Sequence, residues 1–345
     1  MSDNDEHKEK GVVGLVNLGN TCYANSVIQT LRSIPAFTLL LLSDKLKASE
    51  KASDDLKQFM NAFHKLIKQL WENHRGSALK PTGYIKSICE LTRGTAYEQF
   101  SVNIPNDAHE YYLYILDRLQ VASFKEPKLP ENASVSETAW YNSFKKDYSK
   151  LVPLFYGQIK KTIHCNKCEN ENHTYEVFNS IKVNLKDNGL PLIQSIQDYY
   201  KDEVIDGYQC DKCNSKTDAN ILQKIIKTPP YLCITINRFA HGFEMGHKDN
   251  RNFTLENDFL DLENIVASDT NEKYSLISMI DHHGSSRGGH YICHIKHVPE
   301  SDTSIDVEYN GPKPGQWYLY DDESVYESSN AHLSGSTYML FFRRL

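Results

Sequence analysis

A chain of 345 residues with a formal net charge of −7 is long enough to bury a large core, in two domains or one elaborated one, and lacks the excess of Lys and Arg that a nucleic-acid or anionic-membrane surface needs. Eight cysteines are too few at this length for a disulfide scaffold, and four of them come as two Cys-x-x-Cys pairs, which in a reducing compartment point to metal before cystine. No apolar leader opens the chain and the aliphatic run Leu39–Leu42 is too short to span a bilayer, so the expectation is a soluble protein of the cytoplasm, the nucleus or both, with neither membrane nor nucleic acid among its partners.

Residues 1–13, opening MSDNDEHKEK, are polar and charged and are expected to form a disordered tail. The stretch GLVNLGNTCYANSVIQTL follows. Its apolar residues Ala24, Val27, Ile28 and Leu31 recur at i, i+3, i+4 and i+7, and Pro35 ends the pattern, which predicts a buried helix from about Cys22 to Ser33. Cys22 then lies in the first turn, where free N–H groups and the helix dipole favour an anion, so a lowered thiol pKa is expected. The competing reading is a buried structural cysteine. Asn17, Asn20, Thr21 and Asn25 surround Cys22 with hydrogen-bonding groups and speak for reactivity.

Helices are expected to fill the chain to about residue 125. One is amphipathic through Leu56, Phe59, Met60, Phe63, Ile67, Leu70 and Trp71 and reads as core. In NDAHEYYLYILDRL, Ala108, Tyr112, Ile115, Leu116 and Leu119 make an apolar face, with Asp107 and Glu110 on another. The segment KEPKLPENASVSE, residues 125–137, reads as a linker or loop. From Leu151 the pattern turns strand-like, which with the helices before it makes an α+β architecture.

Cys165 and Cys168 share CNKC, and Cys210 and Cys213 share CDKC, with residues 169–209 between them. Each pair suits a knuckle offering two thiolates, and four cysteines without a histidine describe a closed structural Zn2+ site, one per chain. Farther on, YSLISMIDHHGSSRGGHYICHIKH reads as a strand, a glycine-rich loop and a second strand, with His290 at the loop exit. GQWYLYDDESVYE adds a short strand at Trp317–Tyr320 that ends in Asp321 and Asp322. A thiolate nucleophile needs a base, and the base an orienting acceptor; His290 and one of these acids can supply both. The histidines show no HExxH spacing.

With Cys22, His290 and Asp321 in this order, the sequence resembles the papain-like ubiquitin-specific proteases. GLVNLGNTCYANS matches the family's cysteine box, and GGHYICHI followed by WYLYDDESV its histidine box. The likeness runs from Gly14 to Leu345 through NDAHEYYLYILDRL, FYGQIKKTIHCNKC, YQCDKCNSKTDA and PPYLCITINRF. It implies a papain-like fold with a helical thumb at about 14–150, zinc-tipped β fingers at 151–235 and a β-sheet palm at 236–345. It implies Cys22 as nucleophile, His290 as base, Asp321 as third triad member and Asn17 as oxyanion donor, with Asp322 able to share the orienting role. Asp107 and Glu110 match positions that contact the Arg-rich C-terminal tail of ubiquitin. Tyr291 would line the tail channel, though as a strand aromatic it reads equally as core. Asn106 departs from the family's usual glutamine. The implied activity is thioester-forming hydrolysis after the C-terminal glycine of ubiquitin, on ubiquitinated proteins, with no catalytic cofactor and with room for an activating or targeting protein partner. The alternatives are a ubiquitin-binding scaffold with little activity, a protease for a ubiquitin-like modifier and a papain-like protease of ordinary peptides.

Overall fold

The computed structural model describes residues 10–101, 103–239, 248–267, 272–285, 288–298 and 314–345. The N-terminal part is helical. Cys22–Arg32, Pro35–Leu42, Asp54–Glu72, Thr82–Thr92 and Ala108–Ala122 are its main helices. Asp54–Glu72 shows how sequence writes such an element. Ser53 caps it by accepting from the amide of Leu56, Asp54 and Asp55 complement the dipole in its first turn, and Phe59, Met60, Phe63, Leu66, Ile67 and Leu70 are buried along one face. Burying a side chain of this kind is worth about 1.5–3 kcal/mol, so this stripe, rather than helix propensity, fixes the element in place.

The helices pack on a sheet. Among the described residues its strands run in the order Ser324–Ser328, Trp317–Asp321, Gly288–Lys296, Lys273–Ser285, Thr337–Arg344, Tyr231–Ile236 and Ile181–Val183, and Phe259–Asp261 pairs beside Lys273–Ser285. Every ladder is antiparallel except Ile181–Val183 against Tyr231–Ile236. One face of the sheet joins the helices in a large apolar core; the other packs on the helix Leu192–Tyr199 and residues near 253–266. A second, four-stranded antiparallel sheet, in the order Glu171–Phe178, Gly157–Cys165, Ser215–Lys227 and Glu203–Cys210, carries both Cys-x-x-Cys knuckles.

Three boundaries differ from expectation. The tail predicted to reach residue 13 ends sooner, because Val12 and Val13 are wholly buried in the core; residues 1–9 of that tail lie outside the described residues. The span predicted for the fingers, 151–235, is interrupted, since Ile181–Val183 and most of Tyr231–Ile236 belong to the large sheet, and Tyr231–Ile236 is buried at every position. The segment read as a loop through Glu137 becomes helix at Val135–Phe144. Ser134 and Glu137 form a reciprocal capping box there, an S-x-x-E signal present in the sequence.

Candidate active site

Cys22 opens the helix Cys22–Arg32, and the turn before it is wound around one side chain. Asn17 Oδ1 accepts from the amides of Gly19 (3.0 Å) and Thr21 (3.1 Å) and from Thr21 Oγ1 (3.2 Å). Gly19 (φ 109°) and Asn20 (φ 53°) take the left-handed conformations this turn needs, and a Cβ on Gly19 would lie 2.3 Å from Asn103 Oδ1. With its oxygen committed to the turn, Asn17 must point its NH2 group away, and Nδ2 donates to Asp322 Oδ2 at 2.8 Å.

The thiol does not behave as helix position alone predicts. Burial pushes the Cys22 thiol above its ordinary value; the Tyr291 amide opposes this, Asp322 adds to it, and the amides of Tyr23 and Cys22 itself oppose it. At 7% exposure the desolvation outweighs the helix terminus. Cys22 makes no hydrogen bond to His290, and its sulfur faces the backbone of the neighbouring Tyr291.

Opposite stands the sheet. His290 lies within the hairpin, paired with His283, rather than beyond a loop. Its Nε2 meets Asp321 Oδ1 at 2.7 Å, which leaves Nδ1 as the nitrogen open to a thiol. Asp322 Oδ2 is 4.0 Å from the same Nε2 and is otherwise engaged, its two oxygens accepting from Asn17 and from Asn25 Nδ2 (2.7 Å). The adjacent acids therefore face different partners because the chain turns between them. Asp322 has φ 49° in the tight turn that joins Trp317–Asp321 to Ser324–Ser328, a conformation that aspartate tolerates. That turn is clamped from behind, where the Leu15 amide donates to Asp322 O at 2.8 Å and Gly14 approaches so closely that a Cβ would lie 2.2 Å from Glu323 O.

A cleft of about 430 Å³ runs from Cys22 between the two halves, lined by Tyr23, Asn106, Asp107, Phe239, His282 and Tyr291, among others. Asp107 caps the helix Ala108–Ala122 with Oδ1, accepting from the amides of His109 (2.8 Å) and Glu110 (3.0 Å), while Oδ2 accepts from Tyr338 Oη at 2.6 Å. Glu110 is exposed. Tyr291 is buried against His282 and Tyr338, so it is at once core and cleft wall. Asn106, shorter than the expected glutamine, folds back on its own loop to donate to Gln99 O and Ile104 O. The sequence places Asn25 beside Cys22 but does not show its bond to Asp322, and it does not single out Tyr338 or His282 for the site. Tyr338 lies in an apolar strand, which carries no such signal.

At the far end of the four-stranded sheet, Cys165, Cys168, Cys210 and Cys213 converge with their sulfurs within 4.8 Å of one another. Cys165 to Cys213 is 4.0 Å and Cys168 to Cys210 is 3.7 Å, against about 3.8 Å between the corners of a tetrahedral site with Zn–S bonds of about 2.3 Å. The Cys168 amide, with that of Lys167, pulls the Cys165 thiol down to about 6. The Asn170 amide favours the Cys168 thiolate, yet burial and the other three sulfurs carry that thiol up to about 12. Four cysteine sulfurs at this spacing are a donor set that fits a structural metal.

A cysteine at a helix start on one side of a cleft, with a histidine and an acid on a facing antiparallel sheet, is the papain-like cysteine-protease architecture. The sequence model of the ubiquitin carboxyl-terminal hydrolases matches residues 13–342, and the chain belongs to that family. It is 29% identical over 99% of its length to ubiquitin carboxyl-terminal hydrolase Usp2 of Drosophila melanogaster, covering 36% of that protein. It is 25% identical over 96% of its length to human ubiquitin carboxyl-terminal hydrolase 2, covering 55%. The chain thus spans roughly a third to a half of these relatives. Among solved structures it resembles the SAGA DUB module Ubp8/Sgf11/Sus1/Sgf73 bound to monoubiquitin, with a TM-score of 0.74 at 21% identity over 100% of this chain and 72% of the other. The same module bound to ubiquitin aldehyde gives a TM-score of 0.72 at 21% identity, with 100% and 72% covered. The helical layer, large sheet and cysteine-tipped sheet are accordingly thumb, palm and fingers.

Proposed function

We propose that the chain is a deubiquitinating cysteine protease that hydrolyses the isopeptide or peptide bond after the C-terminal glycine of ubiquitin. Cys22 is the nucleophile, His290 the general base, Asp321 its orienting acid and Asn17 the oxyanion donor. The observation that carries this reading is His290: its Nε2 is spent on Asp321, and its Nδ1 remains for the cysteine whose sulfur faces the next residue of the same strand.

Burial keeps the free thiol protonated, so the proton passes from Sγ to His290 Nδ1 as the two approach. The thiolate attacks the glycine carbonyl carbon. The carbonyl oxygen becomes an oxyanion, and Asn17, with one N–H held by Asp322, has its second N–H to donate to it. A preorganised donor of this kind is worth about 3 kcal/mol in the transition state. His290 returns its proton to the departing lysine amine as the C–N bond breaks, leaving a thioester. Water, deprotonated by His290, then releases the ubiquitin carboxylate and restores the thiol. Asp322 sets the direction of Asn17 rather than that of His290.

Glu110, with its exposed carboxylate, meets the Arg-rich tail of ubiquitin, while Asp107 and Tyr291 shape the channel. Cys165, Cys168, Cys210 and Cys213 would hold one Zn2+, which when bound crosslinks the fingertip and takes no part in the chemistry. Likeness to Ubp8 in a module with Sgf11, Sus1 and Sgf73 supports an activating or targeting protein partner here too. Eight free cysteines suit the cytoplasm or nucleus, and no helix among the described residues is long and apolar enough to cross a membrane. One observation favours the scaffold reading: Cys22 is buried and not bonded to His290. Reaction with electrophilic probes built on ubiquitin and on ubiquitin-like modifiers separates these readings. The expected result is labelling of Cys22 by the ubiquitin probe, together with turnover of a ubiquitin C-terminal fluorogenic substrate. No labelling by any probe favours the scaffold, and labelling only by another modifier's probe changes the substrate.

A further inference from the structure

Arg32, the last residue of the helix that Cys22 opens, is 1% exposed. Among the described residues it meets no carboxylate at ion-pair distance. Its Nε donates to Gln29 Oε1 at 2.8 Å and its Nη2 to Tyr320 Oη at 2.9 Å. Tyr320, equally buried, directly precedes Asp321 on the strand Trp317–Asp321, and its Oη also lies 3.1 Å from His297 Nε2. His297 follows the strand Gly288–Lys296 that carries His290. Because Arg32 can only donate, the phenol oxygen accepts from it and the O–H can donate to His297, which burial and then the nearby Arg32 push well below its ordinary value and so keep neutral. Gln29 Nε2 extends the chain of bonds to Val13 O at 2.7 Å.

This is an unusual way to spend a cation. The other fully buried arginine, Arg238, donates to four carbonyl oxygens, with Asp249 and Asp281 near enough to favour its charge. Among the described residues Arg32 has neutral partners only, and a core selected for stability alone does as well or better with apolar side chains of similar volume. What the Arg32 bonds do accomplish is geometric. With the Tyr320–His297 contact they join the helix of the nucleophile, the strand of the orienting acid and the residue that follows the strand of the base, at the end of the helix remote from Cys22.

Building on the catalytic reading above, we propose that Arg32, Tyr320 and His297 form a buried positioning network that sets the spacing between the Cys22 helix and the Asp321 strand. The test is the triple variant Arg32→Met/Tyr320→Phe/His297→Leu, which removes the three side chains of the network and leaves Gln29 Oε1 without its Arg32 donor. The expected result is a melting temperature only a few degrees from that of the wild type, since one buried acceptor loses its donor, with kcat on a ubiquitin fluorogenic substrate lowered about tenfold and KM within about twofold, since small misplacements of catalytic groups act on the transition state. A merely structural network gives the reverse, a lower melting temperature with kcat retained, and that result overturns the proposal. If the triple variant does not fold, Tyr320→Phe alone must lower kcat with KM unchanged, and a wild-type kcat overturns the proposal equally. Alkylation of Cys22 by iodoacetamide, located by mass spectrometry, needs no ubiquitin. Should the wild type cleave no ubiquitin substrate, the catalytic reading fails, while slower alkylation of the variant at neutral pH still supports the network and an unchanged rate rejects it.

Discussion

At the fingertip four sulfurs lie within 4.8 Å of one another, on two knuckles at the end of a narrow sheet. In the cleft Cys22 is the one cysteine of the lining, set between a helix start and the backbone of a facing strand. The two sites use one functional group in opposite ways. Crowding fits the fingertip sulfurs to hold a cation, because neighbouring thiolates repel one another unless a positive charge lies between them. Isolation behind a desolvating wall makes Cys22 poor as a free thiolate, and its reactivity is then conditional on His290 reaching it. Cysteine type carries little of this difference; neighbouring sulfurs and neighbouring amides carry most of it.

The hardest blow to this contrast is exchange of roles. Cys22→Ala should lower turnover by roughly 10⁴-fold or more while leaving bound zinc at about one per chain, measured by metal analysis of the same preparation. Retained turnover would end the assignment of Cys22. Next come the two acids. Asn17→Ala and Asp322→Ala should each cost about 10²-fold in kcat, and the double variant little more, because Asp322 acts through Asn17. Additive losses would give Asp322 an independent part. Asp321→Ala should fall steeply as well, and Asp321→Asn less, since an amide oxygen can still orient the imidazole.

Removing a ligand at the other pole, Cys210→Ser, should release zinc and lower the melting temperature, yet change kcat per folded molecule by less than about tenfold. A stable, zinc-free Cys210→Ser protein would show that the knuckles need no metal. The smallest effect sharpens the contrast most. Since burial pushes the Cys22 thiol above its ordinary 9.0, its iodoacetamide alkylation in the free protein should still be rising as pH passes 9. A plateau near neutrality would mean that the thiolate–imidazolium pair is already formed.

The sequence showed what depends on local chemistry. Cys22 at a helix start followed from apolar spacing, and the four ligands from two repeated knuckles. His290 and Asp321 came from the motif and are brought to 2.7 Å. Less legible was anything decided by packing. The pKa of Cys22 was expected to fall because a helix dipole can be read from order in the chain, whereas burial by Tyr291 and its strand cannot. The separate partners of Asp321 and Asp322 depend on a left-handed turn that the letters DDE do not announce. All of strand Tyr231–Ile236 but its last residue falls in the span read as fingers because its neighbours in sequence are there, although its neighbours in space are Thr337–Arg344 and Ile181–Val183.

The bond from Asn17 to Asp322 joins residues 305 positions apart. Translation at about 5–20 residues per second therefore separates their emergence by roughly 15–60 s. Throughout that interval the nascent polypeptide carries its thiol and its oxyanion donor without the base, the orienting acid or the clamp on their turn. On the proposed assignment, catalysis therefore needs the strands that carry His290, Asp321 and Asp322 to be in place.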